Sequence, residues 1–252
     1  MPRYATACPR NCYSSCSFYV HVEGGKIVNV EPHPGNKATP EGICLKGLSY
    51  IERANSRDRL LHPLKKDPKT GTFKRIGWDE TFDMLVEKLN HFKGTYGPHS
   101  ILFYAASGTS GMLNGVSGNF WKLFGGCTTM YGNLCWPAGL EAVRLTMGGN
   151  KHNDPWDLEN ARLIVFWGKN PAETNIQQML FVEKAQENGA KVIVIDPRRT
   201  PSSDRASLLI QPRPGTDGAL ALCTANILMQ KGWVDQAFIE KHVLGFREFA
   251  EM

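Results

Sequence analysis

Four of the seven cysteines, Cys8, Cys12, Cys16 and Cys44, fall in the first 44 residues at the spacing C-x3-C-x3-C-x27-C. Thiolates are soft ligands suited to zinc and to iron–sulfur clusters. Zinc ribbons and fingers usually take cysteines in two pairs, the members of each pair two to four residues apart. Here three thiols come from one tight loop and the fourth from far along the chain. That grip suits a [4Fe–4S] core, whose four thiolates must reach the corners of a larger tetrahedron. The spacing leaves two alternatives open, a zinc site and thiols that hold nothing. The opening residues, Met-Pro-Arg-Tyr-Ala-Thr-Ala, carry no apolar run and no twin arginine. No signal peptide is therefore expected, and a cytoplasmic location, where thiols stay reduced, is.

Other residues with chemical capacity sit further along. Cys44-Leu45-Lys46-Gly47 places a lysine two residues past the fourth thiol, where a surface lysine is the ordinary reading. Trp167-Gly168-Lys169-Asn170-Pro171 directly follows an apolar run, Leu163–Trp167, and Asp196-Pro197-Arg198-Arg199 follows another, Val192–Ile195. Open parallel sheets bind ligands just beyond such strand ends. An acid there accepts hydrogen bonds from a ribose or a guanine edge, and arginines hold phosphate bidentately. Pro214-Gly215-Thr216-Asp217 opens a helical pattern, where unpaired backbone N–H groups and a capping side chain meet a polar ligand. No G-x-G-x-x-G follows any of these strands, which disfavours an ordinary nicotinamide-binding fold.

These groups need elements to hold them. Residues 17–22 and 26–30 alternate around Glu23-Gly24-Gly25 and predict a β-hairpin, a clasp that returns Cys44 to the first three thiols. From about Ile76 the pattern becomes helices alternating with strands. Asp79 is expected to cap a helix with Phe82, Leu85, Leu89 and Phe92 on one face. A strand is expected over 101–105, helices over 112–124, 138–147, 175–188 and 217–230, and strands over 163–167, 192–195 and 208–210. Continuous apolar strands between helices predict a parallel sheet covered on both faces. The fold class is α/β: a small β-rich cysteine domain (1–60), the first part of an α/β unit (61–133), and a second α/β nucleotide-binding domain (134–252) that is expected to be incomplete at its C-terminus.

The composition suits such a fold. With 252 residues, 42% hydrophobic and 21% charged, the chain is neither disordered nor fibrous. No apolar run approaches the length of a membrane span, so direct membrane insertion is not expected. The net charge is +5, and residues 46–75 alone hold nine Lys or Arg against Glu52, Asp58 and Asp67. The basicity is therefore local and fits either an anionic partner or a solvated surface.

The order and spacing of these five motifs resemble the molybdenum or tungsten bis-pterin oxidoreductases, the dimethyl sulfoxide reductase family in the broad sense. The resemblance covers essentially the whole chain, although family members are longer. It implies a [4Fe–4S] cluster on Cys8, Cys12, Cys16 and Cys44. It also implies Mo (or W) bis(molybdopterin guanine dinucleotide), with Lys46, Trp167, Gly168, Asn170, Asp196, Arg198, Gly215, Thr216 and Asp217 contacting that cofactor. Cys135, in Tyr131-Gly132-Asn133-Leu134-Cys135-Trp136, is the implied metal ligand, with Cys127 as the competing cysteine. Lys46 is implied to lie between cluster and pterin and to assist electron transfer.

The activity the resemblance implies is a two-electron oxidation or reduction of a small molecule, with electrons relayed singly through the cluster. Family members acting on formate usually have histidine after the metal ligand, where this chain has Trp136, so formate is disfavoured. Two other classes remain: a non-redox member resembling a tungsten hydratase, and an iron–sulfur electron-transfer or assembly module without catalytic metal. The implied partners are the remaining catalytic domains, in this chain or another, and an electron-transfer iron–sulfur subunit. No nucleic acid is expected.

Overall fold

In the computed structural model the described residues are 2–106, 108, 111–132 and 136–251. They divide into two compact units, Met1–Trp156 and Asp157–Met252.

The first unit opens with a three-stranded antiparallel sheet of β1 (Arg3–Ala7), β2 (Ser17–Glu23) and β3 (Lys26–Pro32), in that order. The expected hairpin is present, with Gly24 and Gly25 both at positive φ in its turn, a conformation that costs glycine little. Strand β1 was not predicted: it has no apolar run and exists through its pairing with β2, Arg3 opposite His21 and Ala7 opposite Ser17. Two short helices follow, α1 (Leu45–Leu48) and α2 (Tyr50–Asn55). The Asn55 side-chain amide donates to the Ile27 carbonyl at 2.7 Å, fixing the end of α2 against β3. Cys16, Phe18 and Val30 form a small buried core, against which Cys8, Val20, Ile27, Ile43 and Ile51 pack.

Next come the antiparallel pair β4 (Leu64–Lys66) and β5 (Phe73–Arg75), then the 19-residue helix α3 (Trp78–Tyr96). Asp79 does not cap α3: the N-cap is Gly77 and Asp79 lies in the first turn, where an acid still favours the positive end of the helix dipole. The stripe on α3 is not buried among the described residues; Phe82, Leu85 and Phe92 are exposed. The strand expected over 101–105 shrinks to β6 (Leu102–Phe103), because its parallel partner β7 (Thr128–Thr129) offers only two residues. Between them, Met112–Gly115 is a tight 3-10 turn leading into α4 (Val116–Phe124), and α5 (Trp136–Met147) follows β7.

The second unit is built on a parallel sheet in the order β10 (Leu208–Ile210), β9 (Lys191–Ile195), β8 (Leu163–Trp167). Ile164 pairs with Val192 and Phe166 with Val194, so these four project to one face. Helix α7 (Ile176–Glu187), preceded by the single-turn α6 (Pro171–Thr174), covers that face with Met179, Val182 and Ala185. Each fully buried Val or Phe contributes about 1.5–3 kcal/mol on leaving water. The prediction of a sheet covered on both faces is corrected: Leu163, Val165 and Leu208 on the other face are exposed among the described residues. Helices α8 (Asp217–Gln230), α9 (Gln236–His242) and α10 (Phe246–Glu251) complete the described chain. Among the described residues no helix is long and apolar enough to cross a membrane.

Candidate cluster loop and ligand-binding sheet edge

The thiol loop starts where β1 ends. The Cys8 N–H donates to the Cys16 carbonyl at 2.8 Å, closing residues 8–16 into a ring at the open end of the β1–β2 pair. Inside it the Cys12 N–H donates to Arg10 at 2.9 Å and the Ser15 N–H to Cys12 at 3.3 Å. Ser15 is the one non-glycine residue with positive φ (44°) among the described residues, a conformation that costs energy and must be held from outside. Asn36 holds it: its side-chain amide donates to the Ser15 carbonyl at 3.1 Å and to Ser17 Oγ at 3.3 Å. The turn-rich return segment is thereby tied to the loop, and eight residues later it delivers Cys44.

Cys44 precedes α1 and its carbonyl accepts from the Gly47 and Leu48 N–H groups at 2.8 and 3.1 Å. Gly47 is buried, and a Cβ there would lie 2.5 Å from Ile43 Cγ2 and 3.0 Å from Phe18 Cζ. Only glycine lets this turn approach the core beside the thiols. Lys46, one residue earlier, is half-buried.

Burial, then the charges of Cys8, Cys12 and Cys44, push the Cys16 thiol up to about 12. Cys8 is also raised, first by burial and then by Cys44 and Cys12. All four cysteines are unbridged. Among the described residues no three His, Cys, Asp or Glu side chains converge as for a single metal ion. Cys8, Cys12 and Cys44 all act on the charge of Cys16, and a pocket wall of Phe18, Val30 and Ile43 packs beside it; thiols so placed suit a cluster, whose binding releases their protons.

The second site is the C-terminal edge of the parallel sheet. After β8, Gly168 adopts φ +60 and its N–H donates to the Ile195 carbonyl at 2.8 Å, joining the loop to β9. The Asn170 carbonyl accepts from the Glu173 and Thr174 N–H groups at 3.2 and 3.0 Å, and Pro171 starts α6. After β9, Asp196 Oδ1 accepts from the Arg198 N–H at 2.8 Å, a local turn that occupies one carboxylate oxygen. The Arg198 guanidinium lies 3.7 Å from Glu173 Oε2, spanning the two loops. After β10, Gly215 takes φ +85 and Asp217 opens α8. Thr216 occupies the N-cap position of that helix without a side-chain cap, its hydroxyl donating instead to the Arg213 carbonyl at 2.7 Å. The Trp167 indole N–H donates to Asp217 Oδ1 at 2.7 Å.

Trp167, Gly168, Asn170, Asp196, Arg198, Gly215, Thr216 and Asp217 thus come from the three consecutive strand ends of one sheet. Cys135 lies outside the described residues. Cys127 is half-buried, next to Gly126 (φ +106), where a Cβ would lie 3.0 Å from the His99 ring. Glu173 and Ser202 were not singled out in the sequence. Ser202 is fully buried, and its hydroxyl donates to Asn170 Oδ1 at 2.6 Å. Its signal, a Thr200-Pro201-Ser202-Ser203 helix start, is visible in sequence; its partner 32 residues earlier is not.

Sequence profiles match both parts of the chain: the molybdopterin oxidoreductase Fe4S4 domain over residues 1–56, and molybdopterin oxidoreductase over residues 59–242. The chain belongs to the molybdopterin oxidoreductase family. Its cofactor class is accordingly molybdopterin together with an Fe4S4 cluster. Among particular proteins, it is 33% identical over 249 residues to the probable oxidoreductase YyaE of Bacillus subtilis (strain 168), covering 99% of this chain and 37% of the relative. It is 33% identical to the dimethyl sulfoxide reductase DmsA of Escherichia coli (strain K12), covering 96% of this chain and 32% of the relative. The structure of acetylene hydratase from Pelobacter acetylenicus superposes with a TM-score of 0.73 at 29% identity, covering 95% of this chain and 34% of that one. The chain spans about a third of the length of the relatives it matches.

Proposed function

We propose that this chain supplies the electron-relay cluster and part of the cofactor cradle of a molybdenum (or tungsten) bis-pterin oxidoreductase acting on a small molecule. The observation that carries the proposal is the gathering of Cys8, Cys12, Cys16 and Cys44 by one hydrogen-bonded loop and its clasp, with the other three thiols acting on the charge of Cys16. In this reading those four thiolates hold a [4Fe–4S] cluster, and Cys135 is the protein ligand to the catalytic metal. When bound, the pterin–metal group supplies the two-electron chemistry.

The residues of this chain do the rest. The loop buries Cys16 and keeps water from the inner side of the cluster, which tunes its potential. Lys46, in the turn beside Cys44, places a cation next to the cluster and favours its reduced form. At the sheet edge Arg198 offers donors to a phosphate and Asp196 keeps one carboxylate oxygen for a ribose or base, an assignment supported by their shared position just beyond the C-terminal end of β9. The three-part division at 1–60, 61–133 and 134–252 belongs to the same reading. So do partners that supply further catalytic domains and an iron–sulfur electron-transfer subunit, and assembly in the reducing cytoplasm.

The similarity to acetylene hydratase favours a second reading, a non-redox reaction that adds water. The deciding experiment is a viologen-coupled assay with candidate substrates on protein carrying its cofactors. Substrate-dependent electron transfer supports the oxidoreductase; hydration of an alkyne without dye reduction supports the hydratase.

A further inference from the structure

Asn170 joins the loops after β8 and β9 by side-chain hydrogen bonds, beside the Arg198–Glu173 ion pair. Its Oδ1 accepts from Ser202 Oγ at 2.6 Å, and its Nδ2 donates to Glu173 Oε2. Ser202 Oγ in turn accepts from the Ala172 N–H at 3.0 Å, a first-turn amide of α6 with no intrahelical carbonyl to reach. A hydroxyl has one proton, and that proton is committed to Asn170. Because Ser202 is fully buried, the Oδ1 end of the carboxamide is turned into the protein. The Nδ2 end lies beside Glu173 and Arg198, whose side chains are 55% and 72% exposed. A flipped amide would set its oxygen against the Glu173 carboxylate and its N–H groups against a hydroxyl already accepting from Ala172. The network therefore selects one orientation.

We propose that Ser202 is a positioning residue. It locks the Asn170 carboxamide so that the sheet edge presents an amide N–H, next to the Arg198 guanidinium, to an acceptor oxygen of a nucleotide diphosphate. Glu173 completes the lock by taking the other amide hydrogen and holding Arg198 at 3.7 Å. The edge then discriminates by hydrogen-bond polarity: it takes phosphoryl oxygens and rejects groups that need an acceptor from Asn170. This rests on the reading of the edge as the nucleotide part of the cofactor cradle.

The test is calorimetric titration of the full chain, purified without pterin cofactor, with guanosine 5′-diphosphate as probe. Thermal unfolding of each variant is measured alongside. Ser202→Ala is expected to bind about tenfold more weakly, one hydrogen bond's worth. Ser202→Thr, which keeps the hydroxyl, is expected to stay within about threefold of the parent, roughly half a hydrogen bond. Should Ser202→Ala not fold, Asn170→Asp decides: with no N–H to give, it should lose as much affinity as Asn170→Ala. Parent-like affinity in Ser202→Ala or Asn170→Asp, with Asn170→Ala impaired, overturns the positioning role and leaves the cradle standing. No binding by the parent chain, or unchanged binding in Asn170→Ala, overturns the cradle and this inference together.

Discussion

The indole N–H of Trp167 donates to Asp217 Oδ1 at 2.7 Å, joining the last residue of β8 to the first residue of α8 across fifty positions of sequence. Both residues sit in motifs that resemble cofactor contacts, and the structure pairs them with each other. The indole N–H is thereby used, so a ligand at this edge meets the Trp167 ring, 38% exposed, and the second Asp217 oxygen. A hydrogen bond to a charged acceptor is worth about 1.5–3 kcal/mol in a protected site. Partial exposure brings this one to about 1 kcal/mol. Asp217→Ala should therefore destabilise by about 1 kcal/mol and red-shift tryptophan emission, whereas Asp217→Asn keeps the acceptor and most of the stability. Urea unfolding followed by fluorescence measures both.

Gly47→Ala tests the packing beside Cys44. Its Cβ would meet Ile43 Cγ2 at 2.5 Å, so α1 must move away from Phe18. Overpacking of this kind costs about 1–3 kcal/mol. Because α1 carries Cys44 at its start, iron incorporation should fall together with thermal stability. Normal iron content in a fully stable Gly47→Ala protein contradicts this account of the loop.

The parallel sheet makes a sharper contrast. Phe166, 4% exposed, packs under α7, whereas Leu163 on the same strand is 54% exposed. Phe166→Ala should cost about 3–5 kcal/mol in urea unfolding through transfer and cavity costs. Leu163→Ala should stay within about 0.5 kcal/mol. Equal losses at the two positions would mean that the exposed face is covered.

A pH effect is expected in the β4–β5 hairpin. The Asp67 carboxylate accepts from the Lys69 N–H at 2.9 Å, from Lys74 Nζ at 3.2 Å and from the Thr70 N–H at 3.3 Å. The Lys69 amide, then Lys74, then the Thr70 amide hold its carboxyl below the ordinary range. The stabilisation is therefore complete above the ordinary carboxylate pKa and is lost as pH falls through the lower folded value. Amide exchange of the hairpin should quicken on acidification in the parent. In Asp67→Asn it should be quicker at neutral pH and lack that step.

Much of this architecture was legible because local pattern and tertiary environment agree. Strands β8, β9 and β10 and helices α7 and α8 fall within a residue or two of their expected spans, since buried Ile, Val and Phe runs leave few alternatives. Strand β1 was not legible: Arg3–Ala7 has no apolar signature, and only pairing with β2 makes it a strand. The cysteine loop could be read from spacing, but its strained Ser15 and the Asn36 brace could not, because they depend on contacts about twenty residues apart. Likewise the motif residues at the sheet edge stood out, while Ser202 and Glu173, which orient Asn170, did not. The capping side chain expected at the start of α8 is not made by Thr216, whose hydroxyl is taken by a nearer carbonyl, that of Arg213.

The most direct measurement is iron and acid-labile sulfide analysis of the chain reconstituted anaerobically, beside Cys8→Ala, Cys16→Ala and Cys44→Ala. The account predicts about four iron per chain for the parent, with a broad visible absorption, and loss of that cluster in each variant. Stoichiometric zinc without iron in the parent, or an intact four-iron cluster in the variants, would contradict it.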